Sequence, residues 1–155
     1  MANEKNETVV YPFMNFHFSV EIHLNGSSES LCSAAFSECD GLEMNMGIKT
    51  IREGGNNGQQ IHLAGPVTYG QLTLKRGMTT SFDLWDWFDT TVTAVRTRAQ
   101  AEVVILSTNG LTRMTSFVLT NCIPIKLKAP ALNATDGRVA IEELQLAYET
   151  LKRKR

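Results

Sequence analysis

Residues 16–24 alternate strictly between apolar and polar side chains, with every even-numbered position apolar. A period of two places successive side chains on opposite faces of a β-strand. This segment is therefore predicted to be a strand with one buried and one wet face. The chain has 155 residues, of which 43% are hydrophobic. That is enough for one domain with its own core, so we expect a single, mainly β domain.

Further strand patterns run through the chain. The Asn109-Gly110 pair between two of them indicates a hairpin turn. In the last pattern the alternation slips at Glu142-Glu143, which predicts a β-bulge. The predicted strands are 16–24, 31–37, 44–48, 59–63, 67–76, 101–106, 111–120 and 139–148. The sequence thus predicts a small β-barrel or sandwich of six to eight strands.

One segment, about 80–95, has a helical period instead. Its apolar side chains fall within one arc of a helix: Leu84, Trp85, Phe88, Val92 and Val95. Thr80 or Ser81 is predicted to cap the helix. Trp85 is predicted to be a core residue, whereas Trp87 lies off the arc and is predicted to sit on the rim, where a partner subunit would cover it. Acidic residues recur on another side and are predicted to be solvated: Asp83, Asp86 and Asp89.

A polar, glycine-rich segment separates two of the predicted strands. It consists of Arg52, Glu53, Gly54, Gly55, Asn56, Asn57 and Gly58. Its composition predicts the centre of a long loop, about 47–60, that is mobile in the isolated subunit. The segment lacks the G-K-[ST] ending of a phosphate-binding loop. Long loops on compact domains commonly carry recognition, so we expect this one to contact a partner.

No catalytic, cofactor or metal site is predicted. His17 and His23 share a strand face but lie about 20 Å apart along it, too far for one metal ion, and His62 has no ligand near it in sequence. The cysteines show no Cys-x-x-Cys spacing. They are predicted to be buried, unreactive thiols: Cys32, Cys39 and Cys122. We therefore do not expect an enzyme.

Charge is concentrated at one end of the chain. The net charge is -1, from 15 basic and 16 acidic residues, and residues 152–155 are all basic. Without these four the balance is 11 to 16, so the body is acidic and is not expected to bind nucleic acid. Residues 1–10 are predicted to be a flexible N-terminus, 11–150 one domain, and 151–155 a solvated basic tail. No apolar run is long enough to span a membrane, and residues 1–10 do not have the pattern of a signal peptide.

Six short stretches, in order and spacing, resemble a known family. They are Y-P-F at 11–13, F-S-E-C-D-G-L at 36–42, I-R-E-G-G at 51–55, L-T-L-K-R-G at 72–77, L-W-D-W-F at 84–88 and V-A-I-E at 139–142. Together they resemble the tail tube proteins of contractile phages and of phage-tail-like contractile injection systems. The resemblance extends over about 11–150, nearly the whole chain.

This resemblance implies a structural role. Tail tube proteins form a small β-barrel flanked by a helix, similar to the haemolysin-coregulated protein of type VI secretion. Six copies form a ring, rings stack into a hollow tube inside a contractile sheath, and contraction drives the tube through a target envelope. The implied partners are further copies of the chain, the sheath protein, the baseplate, spike and tube-initiator proteins, and cargo in the lumen. Assembly in the bacterial cytoplasm, within a phage-tail-like particle or virion tail, is also implied.

Several residues are candidates for the contacts between copies. In that family the loop around R-E-G-G, here 52–55, bridges neighbouring subunits or rings. Arg52, Lys75 and Arg76 are basic groups that an adjacent acidic body could meet, with the acidic helix row and Glu142-Glu143 as receivers.

Two alternatives stay open at this point. A tube-initiator paralogue, which forms the first ring above the baseplate spike, has the same fold and motifs. A small-ligand-binding β-barrel belongs to another class and would be a closed monomer with an apolar cavity.

Overall fold

The computed structural model describes residues 11–55, 58–93 and 97–155, with the backbone alone at 33 and 34. Ten strands and one helix lie in these ranges. They are β1 (Phe18–Leu24), β2 (Ser30–Ala34), β3 (Glu38–Asp40), β4 (Met44–Arg52), β5 (Gln60–Tyr69), β6 (Gln71–Gly77), α1 (Asp83–Thr93), β7 (Ala99–Leu106), β8 (Arg113–Lys128), β9 (Ile141–Ala147) and β10 (Thr150–Lys154). The predicted fold class, mainly β with one helix, is confirmed. Residues 1–10, Asn56, Asn57, Val95 and Arg96 lie outside the described part.

Eight strands form one antiparallel sheet that curls around the core. The order is β2-β1-β7-β8-β9-β6-β3, and β10 also pairs with β8. The long strand β8 changes neighbour along its length: Thr120 lies opposite Thr150 of β10, while Ile123 lies opposite Ala147 of β9. Between them Asn121 has a φ of 51°, a left-handed conformation that asparagine tolerates better than most residues. This corner lets one strand serve two parts of the sheet.

The core is built from the inward-facing residues of the strands. Those that are completely buried include Val20, Ile22, Leu72, Leu74, Leu119 and Leu146. The alternation predicted for β1 is confirmed, because Val20 and Ile22 are buried while Glu21 and His23, which follow them in turn, are partly exposed. The Asn109-Gly110 turn is also confirmed, since β7 and β8 pair on either side of it.

Strand β9 departs from its prediction. Its pairing with β6 runs without a break from Gly77 opposite Ile141 to Gln71 opposite Ala147. The bulge predicted at Glu142-Glu143 is therefore wrong. The pattern slips because Glu142 occupies an inward position and is 2% exposed.

The helix turns a different face to the core than predicted. Leu84 and Trp87 are buried, whereas Trp85 is half-buried and Val92 is 70% exposed. Trp87, and not Trp85, is thus the fully buried tryptophan, and the rim position predicted for Trp87 is wrong. The physical reason is that Leu84 and Trp87, three residues apart, lie on the same face of the helix, and this face packs on the core. The Trp85 side chain instead reaches a polar partner described below. The helix begins at Asp83, whose Oδ1 accepts a hydrogen bond from the Leu84 amide at 2.8 Å.

Two segments predicted to be irregular are strands. The basic tail is not loose, because β10 pairs with β8 from Thr150 to Lys154. Half of the predicted loop of 47–60 belongs to the strands of a β-hairpin formed by β4 and β5. Only residues 53–59 connect these strands. No helix in the described ranges has the length and apolar character needed to cross a bilayer.

Candidate subunit-interface site

The hairpin of residues 44–69, here called the arm, is a separate two-stranded sheet. Its register runs from Met44 opposite Tyr69 at the base to Arg52 opposite Gln60 at the tip. In the described structure neither strand pairs with the main sheet. A two-stranded hairpin alone is at best marginally stable in water. The arm therefore depends on something beyond its own pairing.

The arm exposes a large amount of apolar surface. Seven large apolar side chains are 41–70% exposed: Met44, Met46, Ile48, Ile51, Ile61, Leu63 and Val67. Isolated exposed apolar residues are normal, but a contiguous set on one element marks an interaction surface. The arm exposes such a contiguous set.

Both faces of the arm carry apolar pairs. Ile48 lies opposite Ala64, and Ile51 lies opposite Ile61. Directly opposed residues share a face, and positions an odd number apart lie on opposite faces where the register is unbroken. The register shifts between Met46 and Ile48 but is regular from Ile48 to Arg52, so the Ile48 pair and the Ile51 pair, three positions apart on both strands, lie on opposite faces. A single partner on one side would leave one of these pairs exposed.

Five of the interface residues predicted in the glycine-rich segment lie at the arm tip, whereas Asn56 and Asn57 lie outside the described residues. Arg52 ends β4, and Glu53, Gly54, Gly55 and Gly58 of the connection are all exposed. Gly55 has a φ of 103°, a conformation that favours glycine over residues with a side chain. The tip is free for contact in the single chain, and the role of these residues at an interface stays a prediction.

Arg76 does not face a neighbour as predicted. It is 5% exposed, and its Nε lies 2.5 Å from Glu142 Oε1 while its Nη2 lies 2.6 Å from Asp83 Oδ1. Its guanidinium also lies 5.8 Å from the centre of the Phe36 ring. Burial disfavours the charged guanidinium, but the hydrogen bonds with Asp83 and Glu142 outweigh burial and raise the pKa of Arg76. Arg76 is an internal ion-pair centre that ties the helix start to β9.

Some of the acidic residues predicted to meet basic groups of a neighbour instead bind groups within the same subunit. Glu142 also accepts a hydrogen bond from Trp85 Nε1, at 3.1 Å, which explains why Trp85 points away from the apolar core. Asp83 and Glu142 are occupied within the subunit. Among the predicted receivers, Asp86 and Asp89 are exposed and Glu143 is partly exposed.

The interface predictions for Lys75 and Trp87 have different outcomes. Lys75 Nζ lies 3.3 Å from Glu38 Oε2, and the Lys75 side chain is 34% exposed. It stays a predicted interface residue. Trp87 is 2% exposed, so the argument that placed it at an interface no longer holds.

The burial predicted for the cysteines is confirmed for two of the three. Cys32 and Cys122 are buried and Cys39 is half-buried, and all three are free thiols. Burial raises the pKa of Cys32 and of Cys39 to about 12 and that of Cys122 to about 11. Raised pKa values favour the protonated thiol, which is the less nucleophilic form, so low reactivity stays a prediction. Within the described ranges no three His, Cys, Asp or Glu side chains come together as metal ligands.

The apolar arm is the feature that sequence reasoning missed. The signal was present, because Met44, Met46 and Ile48 alternate with polar residues or glycine. The same alternation describes a strand that is buried within its own chain. The pattern therefore identified a strand but could not show that its apolar face is exposed.

Comparisons with known proteins agree in placing this fold. The family model described as T4-like virus tail tube protein gp19 matches residues 14–152. A chain in a 6-fold symmetrised cryo-EM structure of the anti-feeding prophage baseplate is 25% identical, with a TM-score of 0.83 over 94% of this chain and 97% of that one.

Two more distant structures share the fold. A chain from a sheath–tube complex of an extracellular contractile injection system, PVC, in its extended state is 20% identical, with a TM-score of 0.79 over 94% of this chain and 93% of that one. Hcp1 from Flavobacterium johnsoniae is 10% identical, with a TM-score of 0.51 over 87% and 94% of the respective chains. A sequence comparison with curated proteins gave no match.

Proposed function

The chain belongs to the T4-like virus tail tube protein gp19 family, and from this premise we propose that it is the building block of the inner tube of a contractile injection system or phage tail. Its role is structural and not catalytic. The tube consists of stacked six-membered rings around a central channel, and sheath contraction drives it through a target envelope. The 6-fold symmetry of the anti-feeding prophage baseplate, which contains a similar chain, supports six copies per ring.

The observation that carries this proposal is the arm with apolar residues on both faces. Packing the arm of one copy against the body of the next is a heterologous contact, since two different surfaces meet. Heterologous contacts make rings where the rotation closes and filaments where it does not. Apolar pairs on two faces suit an arm inserted between two neighbours, one on each side. This geometry favours a stacked assembly over a simple dimer.

Contacts of the tip and of nearby charges accompany the apolar interface. Arg52 and the glycines beside it reach an adjacent subunit or ring, and Lys75 contributes a further basic group. Asp86, Asp89 and Glu143 are the receivers left to meet them on an acidic neighbour. Opposite charges at the seams offset the repulsion between acidic bodies. The apolar residues of the arm supply most of the affinity.

The proposed partners are further copies, the sheath protein, the baseplate, spike and initiator proteins, and cargo in the channel. The particle is assembled in the bacterial cytoplasm. A tube initiator, forming the first ring only, is the second candidate. It is favoured by one observation, namely that the 25% identical chain comes from a baseplate structure whereas the sheath–tube chain is 20% identical.

Negative-stain electron microscopy of the purified protein tests the proposal. The main tube role predicts stacked rings of growing length, the initiator role predicts single rings, and a ligand-binding barrel predicts monomers at every concentration. Met46→Glu places a charge on the arm surface and is expected to abolish assembly while circular dichroism stays unchanged. Met46→Leu keeps the apolar surface and is the matched control, expected to assemble. Normal tubes from Met46→Glu would contradict the role of the arm.

A further inference from the structure

The arm is joined to the rest of the domain, here called the body, by two short connections that touch each other. These connections, here called the legs, are residues 41–43 before β4 and residue 70 after β5. Gly41 begins one leg and Gly70 forms the other, and the Gly70 amide donates a hydrogen bond to the Glu43 carbonyl oxygen at 3.2 Å. A Cβ added to Gly41, whose φ is 99°, would lie 1.9 Å from the carbonyl oxygen of Gln71. A Cβ added to Gly70 would lie 2.4 Å from Glu43 Cγ. At Gly41 only glycine permits this approach, because the neighbouring atom is backbone, whereas the exposed Glu43 side chain can rotate away from Gly70.

One side chain of the body contacts the chain at both ends of the arm. Tyr148 lies between β9 and β10, is 6% exposed, and has its ring centre 5.7 Å from that of Tyr69, the last residue of β5. Its hydroxyl donates to the Gly41 carbonyl oxygen at 2.7 Å and accepts from the Glu43 amide at 3.2 Å. The Glu43 carbonyl oxygen is a second acceptor within reach, at 3.1 Å. Burial raises the pKa of this hydroxyl, so it keeps its proton at neutral pH.

We propose that Tyr148 is a positioning residue whose hydroxyl fixes the direction in which the arm leaves the body. The arm strands pair only with each other in the described structure, so no ladder to the main sheet sets that direction. At about 3.3 Å per residue the ten-residue strand β5 is a lever of about 30 Å. A rotation of about 10° at the root then moves the tip by about 5 Å, which exceeds the tolerance of any hydrogen bond.

This inference rests on the proposed function in one respect, because a fixed direction matters only if the arm docks on a neighbour. The positioning itself is a property of the single chain. It can therefore be measured on the monomer, whether or not the protein assembles.

The test compares Tyr148→Phe with Tyr69→Phe. Both variants remove one hydroxyl from the same ring pair and keep the apolar ring. In the described structure the Tyr148 hydroxyl has backbone partners, whereas no hydrogen bond of the Tyr69 hydroxyl is present there. Tyr69→Phe is thus a matched control, because it removes a hydroxyl from the same ring pair without removing a described hydrogen bond at the root of the arm.

Two readouts are taken on the full chain at a concentration where it is monomeric. The first is amide hydrogen exchange at Glu43, which Tyr148→Phe is expected to accelerate at least tenfold. The second is the width of the spin-label distance distribution between cysteines introduced at Lys49 on the arm and Thr108 on the body. Tyr148→Phe is expected to at least double this width, while Tyr69→Phe changes neither readout. Burial shields Cys32 and Cys122 from the label, and the half-buried Cys39 is replaced by alanine in every variant, including the reference chain.

Unchanged exchange and unchanged width in Tyr148→Phe would overturn the inference. Should that variant fail to fold, the wild-type chain still decides, because a Glu43 amide that exchanges as fast as an exposed one would refute the hydrogen bond directly. An absence of tubes by microscopy would count against the proposed function alone and would leave the result at Tyr148 unaffected.

Discussion

Replacing Arg76 with methionine is expected to destabilise the subunit by about 3–5 kcal/mol. The substitution removes the guanidinium that lies between Glu142, which is 2% exposed, and Asp83, which is partly buried. Glu142 retains the hydrogen bond from Trp85 Nε1 at 3.1 Å but loses its counter-charge at 2.5 Å. A buried carboxylate is then left near a second, partly buried one without a compensating charge from Arg76. Breaking a buried ion pair on one side costs this much because a buried charge is left uncompensated.

The assay is thermal and urea denaturation of the monomer followed by circular dichroism. For a domain of this size each kcal/mol shifts the melting temperature by about 2–4 °C, so the expected decrease is about 6–20 °C. Lys75→Met is the matched control, because Lys75 is the adjacent residue of β6 and its ion pair with Glu38 is at the surface. That control is expected to cost about 0–1 kcal/mol.

A double variant separates the charge from the packing. Arg76→Met combined with Glu142→Met removes the buried carboxylate together with its partner, and it is expected to recover at least about half of the loss, since apolar residues of similar size replace such pairs well. Two results would refute the reasoning. One is a cost below about 1 kcal/mol for Arg76→Met, and the other is a double variant less stable than either single variant.

Two further predictions concern the helix. Trp87→Ala is expected to cost about 3–5 kcal/mol in urea denaturation, as the loss of a core aromatic does, whereas Trp85→Phe, which loses one hydrogen bond to Glu142, is expected to cost about 1–3 kcal/mol; the reverse order would contradict the burial of Trp87. Burial disfavours the Asp83 carboxylate, but hydrogen bonds from Arg76 and the Leu84 amide lower its pKa below the ordinary value, so its contribution is present above about pH 4 and is lost as the pH falls through the lowered value. The stability difference between the wild type and Asp83→Asn is therefore expected to shrink between about pH 5 and pH 2, and a difference that is constant with pH would contradict this ion pair.

Regular amphipathic elements were predictable from the sequence because their pattern and their burial coincide. In β1 the apolar positions are the buried ones, and the turn at Asn109-Gly110 joins β7 to β8. The predictions failed where a polar side chain takes an inward position. Glu142 is buried because Arg76 lies opposite it in the β6–β9 register, and a single-sequence pattern contains no information about a partner 66 residues away.

The prediction of the buried helix face was wrong for a related reason. Its sequence has five aromatic or aliphatic residues in positions that define more than one possible apolar arc, so the periodicity alone did not fix the rotation about the helix axis. The rotation is decided by Trp85, whose indole nitrogen reaches Glu142, and by Trp87, which fills the core. The Trp85 contact depends on the buried ion-pair centre, which the sequence showed only as separate charges.

The arm was predictable as strand but not as exposed strand, and this difference bears on its function. A strand pattern states which side chains avoid water, and it does not state whether the chain itself or a neighbouring copy shields them. In β4 the residues Met44, Met46 and Ile48 remain 58–70% exposed, although their alternation is as regular as that of β1. Since a two-stranded hairpin gains little from its own pairing, we propose that other copies cover this apolar arm and add to its stability. On that proposal the same alternating pattern specifies both the core and the interface between copies, and the exposure of each strand in the folded single chain distinguishes the two.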